Sequence, residues 1–294
     1  MNDRSEIPNL TVQQLTYLVA VHDAPTWSRA AATLGVTQSA LSQGLSELER
    51  RLGTPLFEWQ GRRRVLRRQA AEVLLYAERV VAQSRDLARW LAEARDGSVG
   101  RIRVGMIDAA AVHHFPTALR EFRREHPAVD FRLDVAASGQ LLERLSRGAL
   151  DLVVCVEPAR PNGSITTQPL LVEPLGLYAP DGKRAGPANR WGPWVTFPAG
   201  SHTRSIIDDA LRQAGAPTEV VAESHQPEVL REMVQLGLGW TVLPVVQAET
   251  EPAKLRRARA EPIAERTLVS ARRTESPNDS ATNALLELLL AAVS

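Results

Sequence analysis

The sequence predicts a small all-α head, one long linker helix, and a larger C-terminal α/β region. Three observations predict it. Residues 9–52 are short amphipathic segments broken by tight turns. A heptad seam begins at Leu66, and from residue 102 strand-like and helix-like runs alternate almost to the end.

In the head, Leu15, Leu18, Val19 and His22 share one face of a first helix that opens after Thr11, a hydroxyl suited to capping free N–H groups. Trp27–Leu34 reads as a second helix that Gly35 ends, and Thr37 caps a third running to about Leu52. Gly53-Thr54-Pro55 stops that helix. Leu56-Phe57-Glu58 and Val65-Leu66 then bracket a short arginine-rich hairpin.

Leu66, Ala70, Val73, Ala77, Val80, Ser84, Leu87 and Leu91 are spaced alternately by four and three residues. A helix from about Gln69 to Arg95 is roughly 40 Å long at 1.5 Å per residue. Its apolar stripe has two destinations, its own domain or a partner helix. The a/d spacing favours the partner, with Val73, Ala77, Val80, Leu87 and Leu91 as dimer contacts.

Residues 96–100 read as a linker. Strands fit 102–107, 130–136, 151–156, 194–198, 219–224 and 240–243, and helices fit 113–125, 139–147, 205–214, 227–236 and 280–293. Such alternation predicts a parallel sheet with crossover helices. The Pro- and Gly-rich stretch 158–193 reads as a longer connection into a second α/β subdomain.

The 294 residues, 44% apolar and 23% charged, have ordinary globular composition, and the formal net charge of +1 leaves room for a local basic patch. With one cysteine, Cys155, an intrachain disulfide is impossible, which fits a reducing cytoplasm. No run approaches the roughly 20 apolar residues of a membrane span and no signal peptide is evident, so a cytoplasmic protein without membrane attachment is expected.

The sharpest local signal is Ala31, Gly35 and Leu41. A helix-turn-helix needs a small residue where its helices cross, a residue that tolerates a left-handed turn, and an apolar anchor on the second helix. The helix after the turn offers Thr37, Gln38, Ser39, Ser42 and Gln43, short hydrogen-bonding groups suited to base edges and phosphates; Ser28 and Arg29 flank them from the preceding helix. Arg62, Arg63 and Arg64 on the hairpin supply phosphate neutralisation or a minor-groove finger. Double-stranded DNA is the partner these groups fit.

Gln14–Val21, Ser28-Arg29-Ala30-Ala31, Leu34–Ser42, Leu48-Glu49, Leu52-Gly53 and Pro55–Glu58 together resemble the signature of LysR-type transcriptional regulators. Looser matches continue in Gly148–Leu152, Gly200-Ser201, Gly237-Leu238-Gly239 and Leu243-Pro244. Ser39 and Gln43 stand where the family commonly has Pro and Arg, and Arg67–Ala71 replaces its usual Thr-Glu-Ala-Gly. The resemblance implies an N-terminal winged helix-turn-helix over residues 8–66 and a dimerising linker helix over 67–97. It implies for 101–294 a regulatory domain of two Rossmann-like subdomains of the periplasmic-binding-protein type. Subdomain I then takes about 101–162 and 266–294, subdomain II about 163–265, and two crossing strands join them. It also implies pairing to dimers and tetramers on inverted-repeat promoter DNA, with RNA polymerase as a further partner, and a small-molecule effector in the cleft between subdomains.

Ligands of open α/β sheets bind beyond the carboxyl ends of strands, near helix N-termini. The loops so placed contribute Ile107, Asp108 and Ala109; Ser138 and Gln140; Ser201, His202 and Thr203; and Gln226. Asp108 has two readings, a polar group facing the cleft or a cap on the following helix from outside it.

Enzyme signatures are missing. There is no G-x-S-x-G elbow, phosphate loop or dinucleotide fingerprint, so no catalytic residue, cofactor or resident metal is expected. Two sensor alternatives stay open, a redox thiol at Cys155 or a metal held by His202 and His225; a third is a regulator that binds DNA without any ligand.

Overall fold

The computed structural model describes residues 9–61, 63–96, 100–159, 163–251, 254–276 and 279–293. The chain divides into two compact units, Met1–Gly97 with Ser146–Ala149 and Ser98–Leu145 with Leu150–Ser294.

The first unit opens with α1 (Val12–Asp23), started by a reciprocal capping box. The Thr11 hydroxyl accepts from the Gln14 backbone N–H at 3.2 Å, while the Gln14 side chain accepts from the Thr11 N–H at 3.1 Å. Thr26 caps α2 (Trp27–Leu34) and Thr37 caps α3 (Gln38–Leu52). Gly35, at φ +67°, makes the left-handed turn between them that a side chain would strain. Leu18, Leu41, Leu45 and Leu48 are wholly buried at the centre, whereas His22 is exposed at the end of α1. A Cβ on Gly44 would stand 2.7 Å from the Tyr17 ring, so the α1–α3 crossing needs glycine there. The wing is an antiparallel hairpin of β1 (Phe57–Gln60) and β2 (Arg63–Leu66), with Phe57 opposite Leu66.

A 3₁₀ turn, Arg68–Ala70, leads into α4 (Ala71–Asp96). This helix has two apolar stripes rather than one. Ala70, Leu74, Ala77 and Val81 are buried in the head's own core. Ala77, expected at a dimer contact, is therefore occupied within its own chain: a 3.5-residue period does not say which of two adjacent faces meets which neighbour. Val73 and Val80, also expected at the dimer contact, are half-buried and pack against that same core, and the other stripe runs Tyr76, Leu87 and Trp90, with Leu91 at its edge. Of these, Tyr76, Leu87, Trp90 and Leu91 are 45–60% exposed.

The second unit is mixed α/β. Strands β3 (Arg101–Met106), β4 (Asp130–Val135) and β5 (Leu152–Val156) are parallel, connected through α5 (Pro116–Glu125) and α6 (Ser138–Ser146). A π-helical turn, Ala110–His114, occupies what reads in sequence as the start of α5. Two long strands, β6 (Ile165–Tyr178) and β10 (Ala264–Arg273), pair antiparallel with each other and complete the sheet order β4-β3-β5-β10-β6-β9, with β9 at Thr241–Pro244. The purely parallel sheet expected from alternation is corrected to this mixed one. Both strands run continuously between two cores: β6 enters the first at Leu170 and the second at Leu175 and Leu177, and β10 returns through Leu268, Val269 and Ala271.

The second core is closed by β7 (Trp194–Thr196) parallel to β8 (Val220–Glu223). Val195 N–H donates to the Trp240 carbonyl at 2.8 Å, joining β7 to the residue before β9. Helices α7 (His202–Ala214), α8 (Pro227–Gln235) and the short α9 (Val245–Ala248) cover this core, and α10 (Ser280–Ala291) packs on the first.

Candidate DNA-reading groove and ligand cleft

On the first unit a groove of about 590 Å³ opens between α2, the start of α3 and the wing. Ser28, Gln38 and Ser42 line one side, Trp59 and Arg64 the other, with Trp27 and Phe57 between. Ser28 Oγ donates to the Gln38 side-chain oxygen at 2.8 Å, leaving the amide nitrogen as that side chain's donor. Thr37 is engaged with its own helix, since its hydroxyl accepts from the Ala40 N–H at 3.1 Å and lies 3.0 Å from Ser39 Oγ. Arg29, Ser39 and Gln43 are exposed.

Arg64, expected to contact DNA, is held within the protein. Its guanidinium donates to Glu49 at 3.1 Å and lies 4.9 Å from the Trp27 ring centroid and 5.3 Å from that of Phe57. Glu49 also accepts from the backbone N–H groups of Leu56 and Phe57, so one carboxylate fixes where the wing starts. Arg62 and the Arg63 side chain lie outside the described residues. Trp59, which sequence reasoning passed over, is 72% exposed in the groove. The available signal was its spacing: in a strand, residue 59 shares a face with residue 57.

On the second unit, the carboxyl ends of β3, β4, β5 and β7 and the loops after them enclose a cleft of about 420 Å³. Of the expected residues, Ile107, Asp108, Ala109, Ser138, Gln140, Ser201 and Gln226 line it. Two do not. His202 Nδ1 lies 3.3 Å from the Val156 carbonyl, and buried Thr203 accepts from Arg266 at 2.8 Å. Both lie beyond α7's N-cap residue Ser201, and there the helix turns them into the wall. His225, weighed in sequence as a metal ligand, lines the cleft as well, and sequence reasoning missed Phe197, Glu228, Gln247 and Arg266, which also line it. They come from elements far apart in the chain, and β10 was not read as a strand at all.

Asp108 faces the cleft and does not cap the π turn: its Oδ2 accepts from Gln247 Nε2 at 2.7 Å. Partial burial, with Glu228 adding to it, pushes its carboxyl above the usual aspartate range, although His113, Gln247 and Arg266 oppose the shift. Arg266 is 4% exposed, and its Nε and Nη2 both lie 2.6 Å from Glu173 Oε2. His114 Nε2 is 2.8 Å from the other Glu173 oxygen. Burial raises Glu173, but the bond to His114 and the Arg266 charge outweigh it and hold the carboxyl below its usual range.

Neither sensor alternative gains support from these geometries. Cys155 is fully buried in β5, and burial pushes its thiol up to about 12, so a reactive thiolate is suppressed. His225 lines the cleft and His202 does not; among the described residues, the grouping of three metal-capable side chains is His22, Asp23 and Glu78, which includes neither.

Residues 95–294 match the family model described as LysR substrate binding domain, and residues 12–71 match that of the bacterial regulatory helix-turn-helix protein, lysR family. The chain belongs to the LysR family of transcription regulators: a DNA-binding helix-turn-helix domain joined to an effector-binding domain for small molecules. A relative from Mycobacterium avium, a probable hydrogen peroxide-inducible genes activator, is 31% identical over 264 residues, spanning 87% of this chain and 84% of that one. The HTH-type transcriptional regulator YfeR of Shigella flexneri is 27% identical over 290 residues, 96% and 94% of the two chains. Full-length OxyR from Pseudomonas aeruginosa shares the fold at a TM-score of 0.63 and 24% identity, covering 97% of this chain and 95% of that one. CbnR complexed with its target DNA does so at 0.60 and 19%, covering 96% and 100%.

Proposed function

We propose that this regulator reads an inverted-repeat promoter site through Gln38 and Ser42, and that a small molecule in the Asp108–Ser201 cleft controls its activity. The observation that carries the second half is the cleft itself, where strand ends from both cores converge with polar groups in an otherwise apolar wall. The first half rests on the groove that places Ser28, Gln38 and Ser42 beside the wing.

The exposed stripe on α4 supports a homodimer made by two copies of that helix, and pairing of further copies gives the tetramer. No helix among the described residues is long and apolar enough to cross a membrane, which supports work in the cytoplasm, where promoter DNA and RNA polymerase are available partners. Neither the groove nor the cleft assembles a nucleophile, base and oxyanion site, and the reading is of a regulator that catalyses no reaction. The relative from Mycobacterium avium bears a name tied to hydrogen peroxide, but thiol-based peroxide sensing does not fit this chain, whose single cysteine is buried.

Ser201→Trp fills the cleft mouth and tests the reading. The variant is expected to bind promoter DNA yet lose its response to metabolite extracts in a reporter strain. A response equal to that of the parent protein would remove the cleft from the account.

A further inference from the structure

The cleft has a charge pattern that narrows its ligand class, an inference that rests on the cleft being the effector site. Two carboxylates line it, half-buried Asp108 on the first subdomain and Glu228 in the first turn of α8 on the second. Among the described residues neither has an ion-pair partner. Among the described residues Asp108 Oδ2 takes one hydrogen bond, from a neutral amide, and Oδ1 takes none. The buried cation in the wall, Arg266, is ion-paired with Glu173, with Nε and Nη2 both against Oε2, and Nη1 donates to Thr203, although Nη2 completes no hydrogen bond among the described residues. Glu173 offsets the Arg266 charge, which still reaches Asp108, and the lining carboxylates without an ion-pair partner among the described residues are Asp108 and Glu228.

An unpaired carboxylate beside a second one in a partly dry cavity is unfavourable unless a cation arrives. The direction in which Asp108 is shifted agrees with that geometry. Glu228 already occupies the positive end of the α8 dipole, where a ligand carboxylate would otherwise dock. Among the apolar residues of the lining, Ile107, Val156 and Phe197 are available to an apolar body.

We propose that the cleft selects a small molecule bearing a protonated amine, which is held between Asp108 and Glu228 while its apolar body lies against Ile107 and Phe197. The ammonium donates to Asp108 Oδ1 and relieves the repulsion between the two acids, drawing the two subdomains' walls onto one ligand. A simple monocarboxylate is repelled by the same pair.

Three probes matched in shape test this on the full chain at neutral pH: phenethylamine, phenylethanol and phenylacetate, titrated by calorimetry. Phenethylamine is expected to bind about tenfold or more tightly than phenylacetate, and Asp108→Asn to remove about tenfold of the amine's affinity. Glu228→Gln should weaken it less, because that group is exposed. Equal or tighter binding of phenylacetate, an amine affinity indifferent to Asp108→Asn, or no binding by any of the three overturns the proposal. Phenylacetate binding that Ser201→Trp abolishes would retain the cleft as effector site and overturn only its charge preference. Amine binding that survives Ser201→Trp would overturn the cleft itself.

Discussion

Ser28 and Gln38, ten residues apart on successive helices, share a 2.8 Å hydrogen bond at the rim of the groove. The bond restricts the Gln38 side chain before DNA arrives and assigns its oxygen to the protein. What remains to meet a base edge is an N–H donor, which suits the acceptors of guanine or thymine in the major groove rather than the bidentate pattern of adenine. Gln38→Ala should cost about 1–3 kcal/mol on the specific site and relax preference at one position per half-site. Ser28→Ala should free the amide to present both its groups and shift preference towards adenine. Binding selections on randomised half-sites check both; an unchanged consensus for both variants would show that Gln38 does not read bases.

Arg64, in the basic hairpin, is bonded within its own domain while lining the groove. It joins Glu49 on α3 to the aromatic pair Trp27 and Phe57, whose rings meet edge-on with centroids 5.0 Å apart. Removing it strips a partly buried carboxylate of its cation and an aromatic cluster of its cover. Arg64→Ala should lower stability by about 1–3 kcal/mol in denaturant titrations while leaving the salt slope of DNA binding nearly unchanged. A stable variant with a flatter slope would instead make Arg64 a phosphate contact.

The linker helix allows a sharper prediction about assembly, because its two stripes separate folding from association. Leu87→Glu or Trp90→Glu places a charge on the exposed stripe, where only a second copy would bury it. These variants are expected to sediment as folded monomers that bind operator DNA poorly. Ala77→Glu charges a wholly buried position in the chain's own core and should instead unfold the head, at a cost of several kcal/mol. Dimers that persist in both exposed-stripe variants would move the interface elsewhere.

The head was legible in the sequence because its signals are local. Thr11, Thr26, Thr37, Gly35 and Gly53 each act on N–H groups or dihedrals within a few residues, so spacing alone places three helices. The strand β5 was likewise legible as an apolar run, and β3 and β4 as alternating ones. The crossing strands were not: β6 carries Pro169 and Pro174, which read as breaks, yet both fit where the antiparallel ladder is irregular or needs no donor from them. The cleft was half legible. Loops after strands revealed Asp108, Ser138, Ser201 and Gln226, but Glu228, Gln247 and Arg266 reach it from elements whose approach depends on the crossing strands.

The protonation of Asp108 gives the last prediction. Four groups act on its carboxyl from the elements around it: Glu228 on α8, His113 in the π turn, Gln247 on α9 and Arg266 on β10. Burial and Glu228 prevail, so in the unliganded protein Asp108 keeps its proton to a higher pH than in the unfolded chain. The unfolded chain therefore binds fewer protons across that window, and the contribution of Asp108 to stability falls as pH rises from the ordinary aspartate value through the raised one. Asp108→Asn holds the site neutral and should flatten that part of the stability–pH curve. An ammonium ligand reverses the preference, since it binds the carboxylate and not the acid. Phenethylamine affinity should accordingly rise with pH across the same window and release up to about half a proton per molecule bound near the raised value, in calorimetry repeated in buffers of different ionisation enthalpy. Repeating the titration in Glu228→Gln separates the two carboxylates, because the proton release assigned to Asp108 should persist there while shifting to lower pH. A pH-independent affinity in the parent protein, or proton release retained in Asp108→Asn, would mean that another group carries the charge preference of the cleft.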